Sequence, residues 1–323
     1  MKKRFPLAGL AAALFAFCAP VQAQADYPSR PIRLIVPFPA GGSTDVVARL
    51  IAERLGQKFG QQVVVDNRPG AGGNIGTDQA VKAAPDGYTL VLSTSGPLAN
   101  NKFLYENMPF DAEKDVTPIT LVGEIPLVVV VNEKSPHQSF AALTQAAKSA
   151  NKPMSFGNPG NGTIGHLAFE LWNHQNSGTM QAIPYRGDMP AMTDLMGNSI
   201  DGIVAPITAF ISNIQAGKLK GLAVMSAERF PGTPDVPTAK EQGADLQASV
   251  WFAIAGPKGM PAPVVQKLNQ EINAITRSSE GRDKLAQFGA VARNGTPEDL
   301  GTLMKEEAAK WQQVIERANI KLN

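Results

Sequence analysis

Cysteine is all but absent from this 323-residue chain: Cys18 is its only one, and it lies inside the N-terminal apolar run Leu7–Ala19. If that run is removed, what remains can form neither a disulfide nor a thiolate nucleophile. Phe17 precedes Cys18, where a lipid-attachment signal would place a small residue. Histidine is scarce too. His137, His166 and His174 are the full set, none lies in an H-E-x-x-H arrangement, and no metal site is expected. There is no G-x-S-x-G elbow around a serine nucleophile. After residue 25 no apolar stretch approaches the ~18 residues that a membrane-crossing helix needs. Heptads and short fixed-period repeats are lacking, which excludes coiled coils and solenoids.

The N-terminus has the three parts of an export signal. Met1-Lys2-Lys3-Arg4 is charged, Leu7–Ala19 is apolar but too short to span a bilayer, and Val21-Gln22-Ala23 and Ala23-Gln24-Ala25 offer small-x-small cleavage patterns. Residues 1–25 are therefore read as a signal peptide cut near Ala23 or Ala25, with the remainder exported. Those residues carry three basic side chains and no acid, so removing them takes the formal charge from +2 to −1. The basic balance of the full chain disappears with the signal, and with it any argument for a nucleic-acid or anionic membrane partner.

Beyond the signal, short β-branched runs alternate with stretches of helical period. Strands are predicted at Ile32–Val36, Gln62–Val65, Thr89–Leu92, Leu127–Val131, Met180–Ile183, Ile200–Val204 and Leu222–Val224. Helices are predicted over Ser43–Phe59, over Thr163–His174, from Pro261 onward, and over Thr296–Ala318, which opens on the capping-box-like Thr296-Pro297-Glu298-Asp299. Such alternation implies an α/β fold with mostly parallel sheets flanked by helices. Two runs, one interrupted by Pro126 and one ending at Pro257, read as crossings between two lobes. On that reading residues 26–125 plus 250–323 form one lobe and 126–249 the other. Two crossings make a hinge, and the cleft between the lobes can close on a ligand.

Two strand–loop–helix units carry the functional signal. The first is Val36-Pro37-Phe38-Pro39-Ala40-Gly41-Gly42-Ser43-Thr44-Asp45, and the second runs from Phe156-Gly157-Asn158 through Gly160-Asn161-Gly162-Thr163 to His166. Each leads a strand through small residues into a helix start, where free N–H groups and the helix dipole attract anions. One such loop on each wall of a cleft would hold an acid between the lobes. Two roles are open to Asp45, ligand contact or helix capping, and likewise to His166, cleft lining or packing. Arg186 reads either as a carboxylate partner or as a solvated loop residue. Phe38 either leaves room for an apolar ligand body or packs the loop. Gly160-Asn161-Gly162-Thr163-Ile164-Gly165 spells G-x-G-x-x-G, but no acid follows at the spacing a dinucleotide needs, and no cofactor is expected. Arg186-Gly187-Asp188 is an adhesion tripeptide by letters only.

Several stretches together resemble the substrate-binding receptors of tripartite tricarboxylate transporters, the Bug family. They are Tyr27-Pro28-Ser29-Arg30-Pro31, the first loop from Val36 to Arg49, Val65-Asp66-Asn67-Arg68-Pro69-Gly70-Ala71-Gly72-Gly73, Pro85-Asp86-Gly87-Tyr88, Gly162-Thr163-Ile164-Gly165-His166, Pro184-Tyr185-Arg186-Gly187 and Arg229-Phe230-Pro231-Gly232-Thr233-Pro234. The resemblance implies a two-lobe periplasmic-binding-protein clamshell with no catalytic role. It implies a small carboxylate ligand held by main-chain amides, delivery to the transporter's membrane subunits or a sensing role, and a monomer. Carried onto this chain, it points to Phe38, Ala40, Gly41, Ser43, Thr44 and Asp45 in the first loop and to Asn158, Gly162, Thr163 and His166 in the second. Ser93, Thr94 and Ser95 would line the cleft floor, and Arg186, Ala205 and Pro206 would meet the far end of the ligand. Asp188 stands where the family often has a small residue. Facing the cleft, it would favour a ligand bearing an amino group or another donor. The alternative from a different class is a secreted α/β hydrolase acting on a carboxylate, which would need a nucleophile–base pair.

Overall fold

The computed structural model describes residues 27–322, so the predicted signal peptide lies outside the described residues. The chain begins with β1 (Ile32–Val36), α1 (Ser43–Phe59), β2 (Val63–Asn67), α2 (Asn74–Val81) and β3 (Thr89–Thr94). Two single-turn helices, α3 (Asn101–Leu104) and α4 (Ala112–Asp115), lead into the long strand β4 (Val116–Asn132). There follow α5 (Phe140–Ser149), β5 (Met154–Asn158), α6 (Ile164–Gln175), β6 (Met180–Pro184), α7 (Asp188–Met196), β7 (Gly202–Pro206), α8 (Ile211–Gln215) and β8 (Leu219–Val224). Finally β9 (Ser249–Pro257) leads to α9 (Ala262–Arg277), α10 (Ser279–Gln287), β10 (Val291–Ala292) and α11 (Pro297–Arg317).

The strands lie in the order β2-β1-β3-β9-β4-β7-β5-β6, with β8 and β10 also on β4. The predicted parallel pairing is found among the outer strands: β1 between β2 and β3, and β5 between β6 and β7. The long strands β4 and β9 add antiparallel pairs through the middle. From Val116 to Pro126, β4 pairs with β9, and from Leu127 on it pairs with β7 and β8. Pro126 stands where the partner changes. A residue without an N–H is tolerated at such an interruption of the ladder and would cost a hydrogen bond elsewhere. The result is a two-lobed α/β fold, each lobe built on its own half of β4.

Periodicity explains why the helices sit where they do. Leu127–Val131 is fully buried on both faces, as a central strand covered by helices on each side requires. Val265, Leu268 and Ile272 form the inward stripe of α9. The α11 start has the predicted box: Asp299 N–H donates to Thr296 Oγ1 at 3.1 Å, and Thr296 N–H donates to Asp299 Oδ2 at 2.8 Å. This helix spans more of the fold than the chain division at residue 250 suggests. Leu300, Met304 and Ala308 share a core with Leu98 and Trp251, whereas Trp311, Val314 and Ile315 share another with Leu104, Phe140 and Trp172.

The corner between α9 and α10 supplies a stability test. Gly281 N–H donates to the capping Ser278 Oγ at 3.0 Å, and a Cβ at Gly281 would lie 2.0 Å from the Ile275 carbonyl oxygen. Backbone cannot swing aside as a side-chain tip does. Gly281→Ala is expected to lower unfolding free energy by about 3 kcal/mol, the upper part of the overpacking range, as read from urea denaturation. Unchanged stability would mean that this corner relaxes freely.

Candidate functional site

A single cavity of about 380 Å³ lies where the two predicted loops meet, within the size range of small-molecule sites. Ser43, Thr44, Ile164 and Gly165 all line it. They occupy the first two positions of α1 and α6, respectively. The opening amides of a helix have no acceptor inside it. In α1 the first intrahelical bond is Val46 N–H to Gly42 O at 3.0 Å, and in α6 it is Leu167 N–H to Thr163 O at 3.0 Å. Two helix starts from opposite lobes thus turn unsatisfied donors toward one space, and the helix dipoles add positive potential there. Lys, Arg and His are absent from the residues lining the cavity, so positive potential there comes from main-chain dipoles.

Each loop is locked by the same device. Gly41, at φ +83°, donates its N–H to Asp45 Oδ2 at 2.9 Å. Gly162, at φ +72°, donates its N–H to His166 Nδ1 at 3.1 Å. In both, a left-handed residue that glycine adopts without strain turns its amide back onto a side chain four residues on. Asp45 also accepts from Arg49 Nε and Asn67 Nδ2, each at 2.9 Å, and is 2% exposed. Burial pushes the Asp45 carboxyl up, but the donors from Arg49, Gly41 and Asn67 outweigh it and hold it below the usual carboxylate range.

Of the residues carried over from the resemblance, Phe38, Ser43, Thr44, Thr94, Ser95, Gly162, Thr163 and Pro206 line the cavity. The others lie outside its lining. Asp45, Gly41 and His166 hold the loops, with the acceptor atoms just described turned inward. Asn158 Oδ1 accepts from Gly160 N–H at 3.0 Å and shapes the second loop from behind. Ser93 is fully buried against Thr77, because successive strand residues face opposite ways and Thr94 takes the cavity side. Ala205 is sealed within β7, and Ala40 and Arg186 are exposed. Phe38 combines the two roles left open for it, lining the cavity and packing on the core.

Gly72 lines the cavity from within the Val65–Gly73 stretch of the resemblance. Sequence reading missed Gly96, Asn100, Asn101, Tyr105 and Leu322. These come from the turn after β3 and from the last residues of the chain, which meet through a bridge between Tyr105 and Leu322. No local motif marks them. Ile164 and Gly165 were open to detection, since they directly follow Thr163, where the helix was predicted to start and whose side chain accepts from His166 N–H. Asp188, left undecided from sequence, lines the cavity.

A family model described as tripartite tricarboxylate transporter family receptor (TctC) matches residues 47–320. The chain belongs to the TctC family. Among curated relatives of this TctC protein, BugT of Bordetella pertussis is 38% identical over 324 residues, covering 100% of this chain and 99% of BugT. A TctC solute-binding protein from Polaromonas superposes with a TM-score of 0.82 at 32% identity, covering 90% of this chain and 99% of that one. The R. palustris protein Rpa4515, solved with adipate, gives a TM-score of 0.77 at 34% identity, covering 92% of this chain and 100% of that one. TctC family members are periplasmic binding proteins, receptors for solutes rather than enzymes.

Proposed function

We propose that this chain is exported and captures a small organic carboxylate between its lobes for delivery to the membrane subunits of a tripartite tricarboxylate-type transporter. The observation that carries the reading is the convergence of the Ser43, Thr44, Ile164 and Gly165 amides on one cavity without a cationic side chain. A carboxylate offers several acceptor lone pairs, and backbone donors can satisfy them with little reorganisation because both loops are pinned. The adipate bound to Rpa4515 supports an acid of comparable size here. Closure would bend β4 near Pro126 and β9 near Ser249, with residues 26–125 and 250–323 moving against 126–249.

The test is a thermal-shift screen of the protein lacking residues 1–25, stripped of carried-over ligand by unfolding and refolding. An acid of micromolar affinity, present at about 1 mM, should stabilise the folded state by about 4 kcal/mol and raise the melting point by several degrees. The carboxylate reading fails if no member of a panel of mono-, di- and tricarboxylates raises it.

A further inference from the structure

Asp188 opens α7 and contributes the one acidic side chain among the residues lining the cavity. Its Oδ1 is buried and has no hydrogen-bond partner. Asn100 Oδ1, from the other lobe, lines the same cavity in the same condition, on a residue only 3% exposed. A buried acceptor without a donor costs about 1–3 kcal/mol, and more when it is ionised. Two such oxygens in one binding space are therefore a demand for donors that a bound ligand can meet. The lining side chains include no lysine, arginine or histidine to meet it. Burial pushes the Asp188 carboxyl up, as expected for an acid with no cation beside it. A ligand carrying carboxylates at both ends would set one of them against Asp188.

We propose that the ligand is an organic acid that also bears a hydrogen-bond donor, an ammonium or N–H group, which Asp188 and Asn100 receive while the helix-start amides hold its carboxylate. The inference rests on the carboxylate reading of this cavity. Asp188 then acts as the residue that separates donor-bearing acids from their donor-free counterparts. An unpaired carboxylate in the site rejects a ligand lacking the matching group more strongly than an apolar wall could.

Calorimetric titration with matched pairs reads this directly: succinate against aspartate, glutarate against glutamate, and benzoate against 4-aminobenzoate. The stripped protein is expected to bind the donor-bearing member of at least one pair more than 10-fold tighter. Asp188→Ala should erase that preference and leave the donor-free member unchanged or tighter. Asp188→Asn should lower affinity specifically for the ammonium-bearing acids, aspartate and glutamate. Equal affinity within every pair, unaltered in Asp188→Ala, overturns the inference while leaving the carboxylate receptor intact. A dicarboxylate preferred over its amino counterpart and retained by Asp188→Asn also overturns it, since Asp188 would then be donating a proton. If no acid of any kind binds, the carboxylate reading falls and the inference falls with it.

Discussion

Replacing Gly165 with alanine is expected to weaken ligand binding by more than about 100-fold, the loss of two donors worth about 1.5–3 kcal/mol each to a charged acceptor. A Cβ at Gly165 would lie 2.7 Å from the Val204 carbonyl oxygen and 2.7 Å from Pro159 Cδ. Val204 belongs to β7 in the centre of its sheet and cannot yield, so the start of α6 must move away. The Ile164 and Gly165 amides move with it. Alanine favours helix more than glycine does, so the helix itself should persist. Calorimetric titration of the variant, with circular dichroism to confirm folding, checks the prediction. Gly41→Ala is the control. From sequence, Gly41 looks like the point of closest ligand approach, where added bulk would abolish binding. In the structure a Cβ there meets nothing within 4 Å and the amide is already given to Asp45. The substitution should cost roughly 1 kcal/mol of left-handed backbone strain and leave binding within a few-fold. Wild-type affinity in Gly165→Ala would show that the α6 amides do not hold the ligand.

Asp45→Ala is expected to lower stability by about 3 kcal/mol, from charge-assisted hydrogen bonds lost by the Gly41 and Asn67 donors. Arg49 is 57% exposed, so its share of the ion pair is small. The loop from Phe38 to Ser43 would also lose its anchor, because Asn67 Nδ2 joins Asp45 Oδ1 to the Phe38 carbonyl, at 2.9 and 3.0 Å. Affinity should fall along with stability. The effect depends on pH in a definite direction. Asp45 titrates lower in the folded chain than the ~3.9 of an unfolded aspartate. Its contribution is thus fully present above that unfolded value and is lost as the pH falls through the folded one. Thermal melts from pH 7 to pH 3 should show the gap between wild type and Asp45→Ala closing at the acid end. A gap that stayed constant down to pH 3 would mean that the charge on Asp45 contributes nothing to the fold.

Much of this architecture was legible in the residues. The β-branched runs and the apolar stripe of α9 report burial directly, because side-chain period is set by local backbone geometry. The start of α1 and the box at Thr296 were legible for a related reason: in each a side chain binds a main-chain amide three or four residues away, Asp45 to Gly41 and Asp299 to Thr296, and both partners lie in one short segment. The two Gly-rich loops pointed to the right pair of helix starts. Which atoms in them are free was not legible. Gly41 and Gly162 look available in sequence, yet both amides are consumed by Asp45 and His166, and the free donors lie two and three residues further on.

The sequence by itself determined the α/β alternation, the two cradle loops and the absence of thiol chemistry after residue 25. Each follows from composition or from interactions between near neighbours along the chain. Tertiary structure alone decided that Asp188 lines the cavity while Arg186 stays outside, that Asn100 and Leu322 join it, and that α11 packs on both lobes. Those outcomes depend on contacts between residues tens to hundreds of positions apart. No local period or spacing encodes such contacts, because they follow from how whole elements stack once their apolar faces are buried.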